Sequence, residues 1–439
     1  MPSPSRGPRS RTQIRTTSTL IRPTSTPTTP TPIATRTTRT SSAALARCLD
    51  PVEADRFFDE YWEAKPVLVQ RGEEGRFDDL LSAHETERLI TSTGLRHPAF
   101  RLVKADADLP VREYTTDLSW RPVPLSATID VGRVAEEFER GATIVLQALH
   151  LHHAPLARFA RELEQGLGQP VQVNAYYTPR AAQGLSVHHD THDVFCLQVT
   201  GEKRWLVYEP VLELPLKDQR YRRELGEPDE PVLDVTLDPG DTLYLPRGWL
   251  HQALTSDRDS LHLTVGLSAY TWLDAVKAAL EDCADELAFR RSVPEDGETA
   301  DELLALLGQR LRPEAVTRRR RDRFVRTRRP ILDDQLDQVR ALERLTIDTP
   351  VERRPSVIAA LTDAGLAFEG REVLVPEHAR DELEHLVHAP APVAAGELPG
   401  TLDDEGRLVL VRRLVREGFL RVADPRRGDG ASPRSGAGA

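Results

Sequence analysis

The stretch of sequence that decides the fold is Val187-His188-His189-Asp190-Thr191-His192-Asp193-Val194-Phe195. A later stretch completes it: Gly240-Asp241-Thr242-Leu243-Tyr244-Leu245-Pro246-Arg247-Gly248-Trp249-Leu250-His251. His188 and Asp190 stand two residues apart, so on an extended chain their side chains project to the same face and His189 points away. A jelly roll can bring His251, at a distant strand end, beside this pair. The sequence therefore predicts one site that is built from two separate segments.

The predicted site offers two imidazoles and one carboxylate. This set can hold Fe(II) on one face and leave the opposite face open. A 2-oxo acid can chelate through two of the free positions and oxygen can take the third, so that a C–H bond held nearby can be hydroxylated. A lone His-x-Asp is common by chance, and His189 and His192 are further candidate ligands, so the residues alone leave the ligand set open. We interpret His189 and His192 as solvated loop histidines.

Many short strand-like segments surround these two stretches. Gly and Pro turns separate them, and this spacing predicts an antiparallel barrel or sandwich such as a jelly roll. The predicted strands cover residues 67–69, 102–104, 143–146, 171–177, 194–199, 204–208, 232–237, 242–245 and 260–267. Apolar periodicity predicts helices over residues 78–92, 131–139, 155–167, 272–289, 300–311, 357–364, 378–388 and 403–417.

The composition excludes several classes of protein. The chain has 439 residues and a net charge of -11, which argues against wholesale nonspecific binding to nucleic acid but is compatible with a local basic patch. Cys48, Cys196 and Cys283 lie far apart and form neither a zinc pattern nor a disulfide framework, so we expect a reducing, cytoplasmic location. No apolar run approaches the roughly 20 residues of a membrane span, and the N-terminus lacks the apolar core of a secretory signal.

The composition also divides the chain into five segments. Residues 1–46 are rich in Thr, Ser, Pro and Arg, and residues 425–439 are rich in Gly, Ser and Arg. Both segments have little to bury and are predicted to be disordered. Between them we predict a barrel domain at 47–268, a helical region at 269–347, and a third domain at 348–424 in which helices precede strand pairs.

A series of motifs points to a known family. In chain order they are Asn174-x-Tyr176, Thr178-Pro179, Gln183-Gly184, His188-x-Asp190, Phe195-x-Leu197-Gln198, Gly201-Glu202-Lys203-x-Trp205, Pro239-Gly240-Asp241 and Leu245-Pro246-Arg247-Gly248-x-x-His251-Gln252-Ala253. Together they resemble the JmjC-type ribosomal oxygenases, also called the cupin-4 group of 2-oxoglutarate- and Fe(II)-dependent protein hydroxylases. The resemblance covers residues 52–267. It implies an α+β chain with a double-stranded β-helix (jelly-roll, JmjC/cupin) catalytic domain, a helical dimerisation region and a winged-helix-like C-terminal domain.

The resemblance also implies a role for particular residues. The implied iron ligands and catalytic residues are His188, Asp190 and His251. The residue implied to bind the distal carboxylate of 2-oxoglutarate is Lys203, for which an exposed turn lysine is the alternative interpretation. The positions that resemble those holding the co-substrate or shaping its pocket are Asn174, Tyr176 and Thr264. We expect Trp205 to belong to the barrel core and Arg247 to be a loop residue without a catalytic role.

The resemblance does not narrow the substrate or the partners to a single one. Members of the family hydroxylate arginine or histidine of ribosomal proteins, and Val187 and His189 differ from the proline and tyrosine that are usual beside the first ligand. An arginine run occupies residues 318–321 and is continued by Arg326, Arg328 and Arg329. It could contact RNA or an acidic partner, or it could be a solvated helix face. We favour the solvated helix face. A small-molecule hydroxylase with the same metal site and a catalytically silent cupin binding module are the alternative functions.

Overall fold

The computed structural model describes residues 42–104, 107–119, 125–180, 182, 186–255, 257–293, 295 and 300–423. The predicted disordered tail at 425–439, most of the predicted disordered segment at 1–46, and the Gln183-Gly184 motif lie outside the described residues. The prediction of disorder is wrong for residues 43–46. They begin the first helix, because the Ser42 side chain accepts a hydrogen bond from the Leu45 amide at 3.1 Å and caps its N-terminus.

The strands of the barrel part, in chain order, are β1 (Val67–Val69), β2 (Phe100–Lys104), β3 (Ala107–Asp108), β4 (Thr115–Leu118), β5 (Leu125–Ile129), β6 (Thr143–Leu146), β7 (Val171–Thr178), β8 (Asp193–Thr200), β9 (Lys203–Tyr208), β10 (Leu233–Leu237), β11 (Thr242–Leu245), β12 (Leu250–Thr255) and β13 (Ser260–Leu267). Its helices are α1 (Ala43–Leu49), α2 (Ala54–Glu60), α3 (Ala83–Ser92), α4 (Val111–Tyr114), α5 (Val131–Glu139) and α6 (Ala154–Leu167).

Two antiparallel sheets face each other in this part of the molecule. The large sheet has the order β1-β11-β8-β13-β7-β6-β2-β3, and the small sheet has the order β10-β9-β12. An isolated bridge between His188 and His251 extends the small sheet beyond β12. From β7 onward the chain passes back and forth between the two sheets, through this bridge, β8, β9 and β10, β11, β12 and β13 in turn. This is the predicted double-stranded β-helix.

Strand β8 shows how the two sheets are held together. Seven of its eight residues are buried, so its sequence lacks the alternation of a half-exposed strand. Phe195 and Leu197 pack into the core shared with the helices, whereas Val194 and Cys196 pack against the small sheet. The large sheet is therefore covered on one face by helices and on the other by the small sheet, and a cavity lies between the two sheets.

Most predicted elements of the barrel are found at or near their predicted bounds. Strands β3, β4 and β5 and the short helix α4 have no predicted counterpart, and two further differences have a local cause. The predicted helix at 78–92 begins only at Ala83, because Ser82 caps it by accepting the Glu85 amide at 3.1 Å. Strand β12 was not predicted, since Trp249 and Leu250 directly follow the turn at Gly248. That strand carries His251.

The C-terminal part begins with four helices: α7 (Trp272–Cys283), α8 (Ala300–Arg310), α9 (Pro313–Thr327) and α10 (Gln335–Ala341). It continues with β14 (Pro350–Arg353), β15 (Ala359–Thr362), β16 (Gly365–Phe368), β17 (Arg371–Leu374), α11 (Arg380–His388), β18 (Val393–Ala394), α12 (Asp404–Glu417) and β19 (Leu420–Val422). The predicted fold class, a jelly roll followed by a helical region and a smaller α+β domain, is confirmed. The domain boundaries and the winged-helix-like description of 348–424 stay predictions.

The predicted helix at 357–364 is wrong. The segment forms β15, which pairs with β16 in a hairpin. Gly365 at the turn has a φ of 147°, and a Cβ atom there would lie 2.2 Å from the carbonyl oxygen of Val373. Only glycine fits this conformation, so the turn ends any helix and sends the chain back as a strand.

A buried ionic cluster joins α6 to the C-terminal part, and we call it the α6 junction. It consists of Arg161, Glu164, Arg328 and Glu369. The Arg161 side chain donates to Glu164 at 3.0 Å and pairs with Glu369, while Arg328 pairs with the other carboxylate oxygen of Glu164. Two cations and two carboxylates balance in this cluster.

Among the described residues, no helix is both long enough and apolar enough to cross a membrane.

Candidate active site

His188, Asp190 and His251 are brought together at one end of the cavity. His188 and His251 are bridged through their backbones, with N–O distances of 3.1 and 2.8 Å. Their ligand atoms and a carboxylate oxygen of Asp190 all lie within 4.8 Å of one another. The His251 Nε2 atom is 3.9 Å from Asp190 Oδ2. Among the described residues this is the one group of three or more such side chains close enough to hold a metal ion.

Backbone carbonyls orient the two imidazoles. His188 Nδ1 lies 2.7 Å from the Ser186 carbonyl oxygen, and His251 Nδ1 lies 3.0 Å from that of Trp249. Since a carbonyl oxygen can only accept, each Nδ1 carries the proton and each Nε2 keeps its lone pair. This is the arrangement in which metal-binding histidines are usually held. The donor set therefore fits a divalent metal ion.

The electrostatics of the three side chains also fit metal binding. Burial, together with the neighbouring His188, lowers the pKa of His251 to about 4. Burial raises the pKa of Asp190, but the surrounding imidazoles of His192, His251 and His188 outweigh it and the pKa is lowered overall. At neutral pH the site thus holds a neutral His251 and an ionised carboxylate, the protonation states that bind metals.

Lys203 is buried in the same cavity. Its side chain is 3% exposed, and Nζ donates to Thr178 Oγ1 at 2.9 Å. Among the described residues no carboxylate pairs with it, so burial lowers its pKa to about 7. The alternative of an exposed turn lysine is wrong. A buried cation without a counter-charge suits an anionic ligand.

The cavity that contains these groups has a volume of about 350 Å³. Asn174, Tyr176 and Thr264 line it, as expected for residues that shape a ligand pocket. Asn174 Oδ1 accepts hydrogen bonds from the Ala148 amide at 2.8 Å and Gln172 Nε2 at 3.1 Å, so its own amide group is held in place. Burial raises the pKa of Tyr176 to about 12, although the hydrogen bond with Thr264 acts to lower it. The phenol is therefore neutral.

Sequence reasoning missed several residues of the cavity. The His262 ring stacks on Tyr176 with centroids 5.1 Å apart and meets Trp205 edge-on at 5.6 Å. Burial, with Lys203 nearby, lowers the pKa of His262 well below its usual value, so this imidazole is neutral. The available signal was its position two residues before Thr264, on the same face of a strand. Trp205 belongs to the small-sheet core, as predicted, and also lines the cavity.

The interpretation as a solvated histidine is wrong for His189, whereas His192 is half-buried. His189 is 5% exposed, its Nε2 lies 3.0 Å from the Gln219 carbonyl oxygen, and its ring meets Tyr221 edge-on. It does point away from the metal-binding group, into the loop that joins β9 to β10. His192 lines the cavity, and its ring lies 3.1 Å from where a Cβ on Gly266 would stand. The segments that cover these rings are remote from them in sequence, which explains the error.

Arg247 is buried and structural. It pairs with Asp193 at 3.0 Å and with Glu63 at 2.5 Å, across 54 and 184 residues of sequence. Tyr244 joins the cluster, because its hydroxyl accepts the Glu63 amide at 3.1 Å and donates to Asp193 at 3.3 Å. The cluster holds the segment after α2 against the start of β8. Arg247 thus has a positional function that the sequence did not reveal.

Comparison with known proteins supports this description. Residues 147–275 match the family model of the JmjC domain. The chain is 33% identical over 229 residues to the bifunctional lysine-specific demethylase and histidyl-hydroxylase NO66 of Drosophila persimilis, covering 52% of this chain and 31% of that protein. It is 31% identical over 267 residues to human ribosomal oxygenase 1, covering 56% of this chain and 38% of that protein. The chain thus spans less than half the length of these curated relatives.

The fold has a counterpart among solved structures. The Escherichia coli ribosomal oxygenase YcfD aligns with a TM-score of 0.54 and 19% identity, over 85% of this chain and 98% of that one. A second structure of YcfD, in complex with cobalt and 2-oxoglutarate, aligns with a TM-score of 0.52 and 18% identity over 84% and 98%. The predicted resemblance is confirmed: this chain contains a JmjC domain and has the fold of the ribosomal oxygenases.

Proposed function

We propose that this chain is a 2-oxoglutarate- and Fe(II)-dependent dioxygenase that hydroxylates an arginine or histidine side chain of a protein, and that the target is a ribosomal protein. The observation that carries the proposal is one cavity with a metal-binding triad and a buried, uncompensated lysine. His251 pairs with Val207 on β9, and Lys203 lies four residues earlier on that strand. The two are about 13 Å apart along the strand, with Trp205 on the same face between them.

Each group in the cavity has a defined task in this reaction. Bound Fe(II) would supply the redox chemistry that couples 2-oxoglutarate decarboxylation to C–H hydroxylation. His188, Asp190 and His251 would hold the ion, and the hydrogen bonds from each Nδ1 to a backbone carbonyl fix the orientation of the two imidazoles. Lys203 binds the distal carboxylate of 2-oxoglutarate, and that carboxylate restores the charged form of the lysine. Asn174, Tyr176 and Thr264 shape the pocket beside it.

Purified protein tests the proposal. With Fe(II), oxygen and a ribosomal protein extract, we expect conversion of 2-oxoglutarate to succinate and the gain of one oxygen atom by a ribosomal protein. The double variant His188→Ala/Asp190→Ala is expected to lose both. Full turnover by that variant would show that the proposed site is wrong. Turnover without any modified protein would favour the small-molecule hydroxylase, and no metal-dependent turnover would favour the silent binding module.

The exposed face of the helical region supports a homodimer. Helix α7 buries its small side chains Ala275, Ala279 and Cys283. Its larger apolar side chains and those that follow are exposed at 40–65%: Trp272, Leu273, Leu280, Leu287 and Leu304. Large exposed apolar patches mark interaction sites, and we propose that these side chains form one. We expect a dimer in light-scattering measurements, and a monomer for Leu280→Arg/Leu304→Arg.

The arginine run gives little support for RNA binding. Arg319 pairs with Asp282, Arg320 donates to the Leu167 and Gly168 carbonyls, and Arg328 belongs to the α6 junction. Three exposed members share a groove with acidic side chains; the residues concerned are Arg318, Arg321 and Arg326 with Glu314, Asp322, Asp363 and Glu372. Four carboxylates beside three arginines leave no net positive charge, which favours the structural interpretation.

A further inference from the structure

Arg101 and Asp108 form a charged pair in the wall of the active-site cavity. Both line the cavity, and Arg101 Nη1 is hydrogen-bonded to Asp108 Oδ1. Arg101 lies on β2, opposite Val145 on β6, and Val145 lies opposite Tyr176 on β7. Arg101 is thus in the same cross-strand row as Tyr176, two strands away on the same sheet.

The Arg101 side chain is well placed to contact a substrate. It is 24% exposed, whereas that of Asp108 is 56% exposed. Among the described residues the Arg101 side chain is hydrogen-bonded to Asp108 through Nη1. A guanidinium carries five N–H donors, so Nη2 can donate to an acceptor on a bound molecule.

The cavity offers no free carboxylate to a cationic side chain. Its described lining contains two carboxylates and two cations other than histidine: Asp108, Asp190, Arg101 and Lys203. Asp190 belongs to the metal-binding group, and Asp108 is already paired with Arg101. A substrate guanidinium has only donors and a permanent charge, and it would meet the Arg101 guanidinium. A neutral imidazole offers an acceptor nitrogen, and most histidines are neutral above about pH 6.5.

We propose that Arg101, oriented by Asp108, is a specificity-determining residue that selects a target side chain with a hydrogen-bond acceptor, and therefore histidine over arginine. This inference rests on the proposed protein hydroxylase function and names the substrate class for it. Arg101 donates through Nη2 to the acceptor nitrogen of the substrate ring, and Asp108 positions Arg101 without touching the substrate. The Asp108 carboxylate also screens the Arg101 charge, so that a neutral ring can approach.

The first experiment identifies the modified residue. Ribosomal proteins extracted from a strain in which the gene is deleted are incubated with the protein, Fe(II), oxygen and 2-oxoglutarate, and tryptic peptides are mapped by mass spectrometry. The inference predicts that the added oxygen is on histidine. Oxygen on arginine would overturn it while leaving the proposed function intact. If no peptide gains oxygen and no succinate forms, the proposed function fails and the inference fails with it.

The second experiment tests Arg101 on the identified peptide. Arg101→Gln is expected to raise the peptide KM by about tenfold or more, because a hydrogen bond from a charged donor is lost. Binding of the peptide to the metal-free protein, measured by calorimetry, should weaken by the same factor. The kcat and the KM for 2-oxoglutarate should change little. Asp108→Asn should raise the peptide KM by a smaller factor, and Asp108→Glu should restore it.

A matched control comes from the same strand. Lys104 pairs with Glu137 at 3.7 Å and does not line the cavity, so Lys104→Gln should leave the peptide KM unchanged. The charge-reversed variant Arg101→Glu should shift the preference toward an otherwise identical peptide with arginine in place of histidine. Unchanged peptide KM and affinity in Arg101→Gln would overturn the inference, and so would an equal effect in Lys104→Gln.

Discussion

The active-site cavity and the α6 junction are both buried and both charged, yet they handle charge in opposite ways. In the α6 junction two arginines and two glutamates neutralise one another, and Arg161 also donates to the Arg329 carbonyl at 2.6 Å. In the cavity, Lys203 has one hydroxyl partner, and the triad places two imidazoles beside a carboxylate without closing hydrogen bonds between them. A buried cluster whose charges neutralise one another indicates a structural role, and a buried charge without a counter-charge indicates a ligand that is still to bind.

The largest expected effect is on turnover, and it separates the two regions. The double variant His188→Ala/Asp190→Ala should lower metal affinity and 2-oxoglutarate turnover by more than about 100-fold, since loss of groups that merely orient ligands already costs about 10- to 100-fold. Its melting temperature without metal should stay at or above that of the wild type. Fluorescence-monitored metal titration and calorimetric melting check both. A large loss of stability would mean that the triad is structural.

The next effect is on stability and belongs to the α6 junction. Glu369→Ala leaves Arg161 without one of its two carboxylates in a buried site, and should lower the free energy of unfolding by about 3–5 kcal/mol. The exposed pair of Arg158 and Asp333, at 3.1 Å, is the matched control. Asp333→Ala should cost less than about 1 kcal/mol. Chemical denaturation measures both, and equal losses would contradict the contrast between buried and exposed pairs.

The pH dependence of stability sharpens the comparison for Lys203. Its pKa is lowered from 10.5 to about 7 by burial in the folded protein. Above pH 7 the unfolded chain therefore binds a proton that the folded chain does not, so stability rises with pH toward 10.5. Between pH 7 and about 9 the free energy of unfolding of the wild type should rise by about 2 kcal/mol more than that of Lys203→Met. Denaturation of the protein free of 2-oxoglutarate measures this. If the stability of the two proteins changed equally with pH, Lys203 would not be a buried lysine without a counter-charge.

The smallest effect concerns the one hydroxyl that holds Lys203. Thr178→Val removes the bond to Nζ and should raise the KM for 2-oxoglutarate about fivefold, the equivalent of about 1 kcal/mol. The peptide KM should not change. Steady-state kinetics with each substrate varied in turn provide the measurement. A loss of 100-fold would show that Thr178 itself binds the co-substrate.

The comparison also shows what could be predicted from sequence. Local patterns predicted some elements closely, since the strand at 242–245 and the helix at 131–139 have the predicted bounds. The two-residue spacing of His188 and Asp190 put both side chains on one face. The family motifs pointed to Lys203. Its burial and pKa could not be predicted, because they depend on β7 and β13 packing over it.

Errors arose where distant segments decide the environment. His189 is buried by Gln219 and Tyr221. Arg247 pairs with Glu63, which lies 184 residues earlier in the sequence. The segment at 357–364 has the apolar spacing of a helix, but its pairing with β16 and the positive φ of Gly365 make it a strand. Arg101 and Asp108 gave no signal, since only strand order brings β2 and β3 to the cavity.

The most direct test of the central claim is mass spectrometry of ribosomal proteins treated under ¹⁸O₂ with the protein, Fe(II) and 2-oxoglutarate. The account predicts that one ribosomal protein gains a single oxygen atom, that the atom carries the label, and that His188→Ala/Asp190→Ala produces no gain. Unlabelled oxygen in the product, or equal gain with the double variant, would contradict oxygenation at the His188, Asp190 and His251 site.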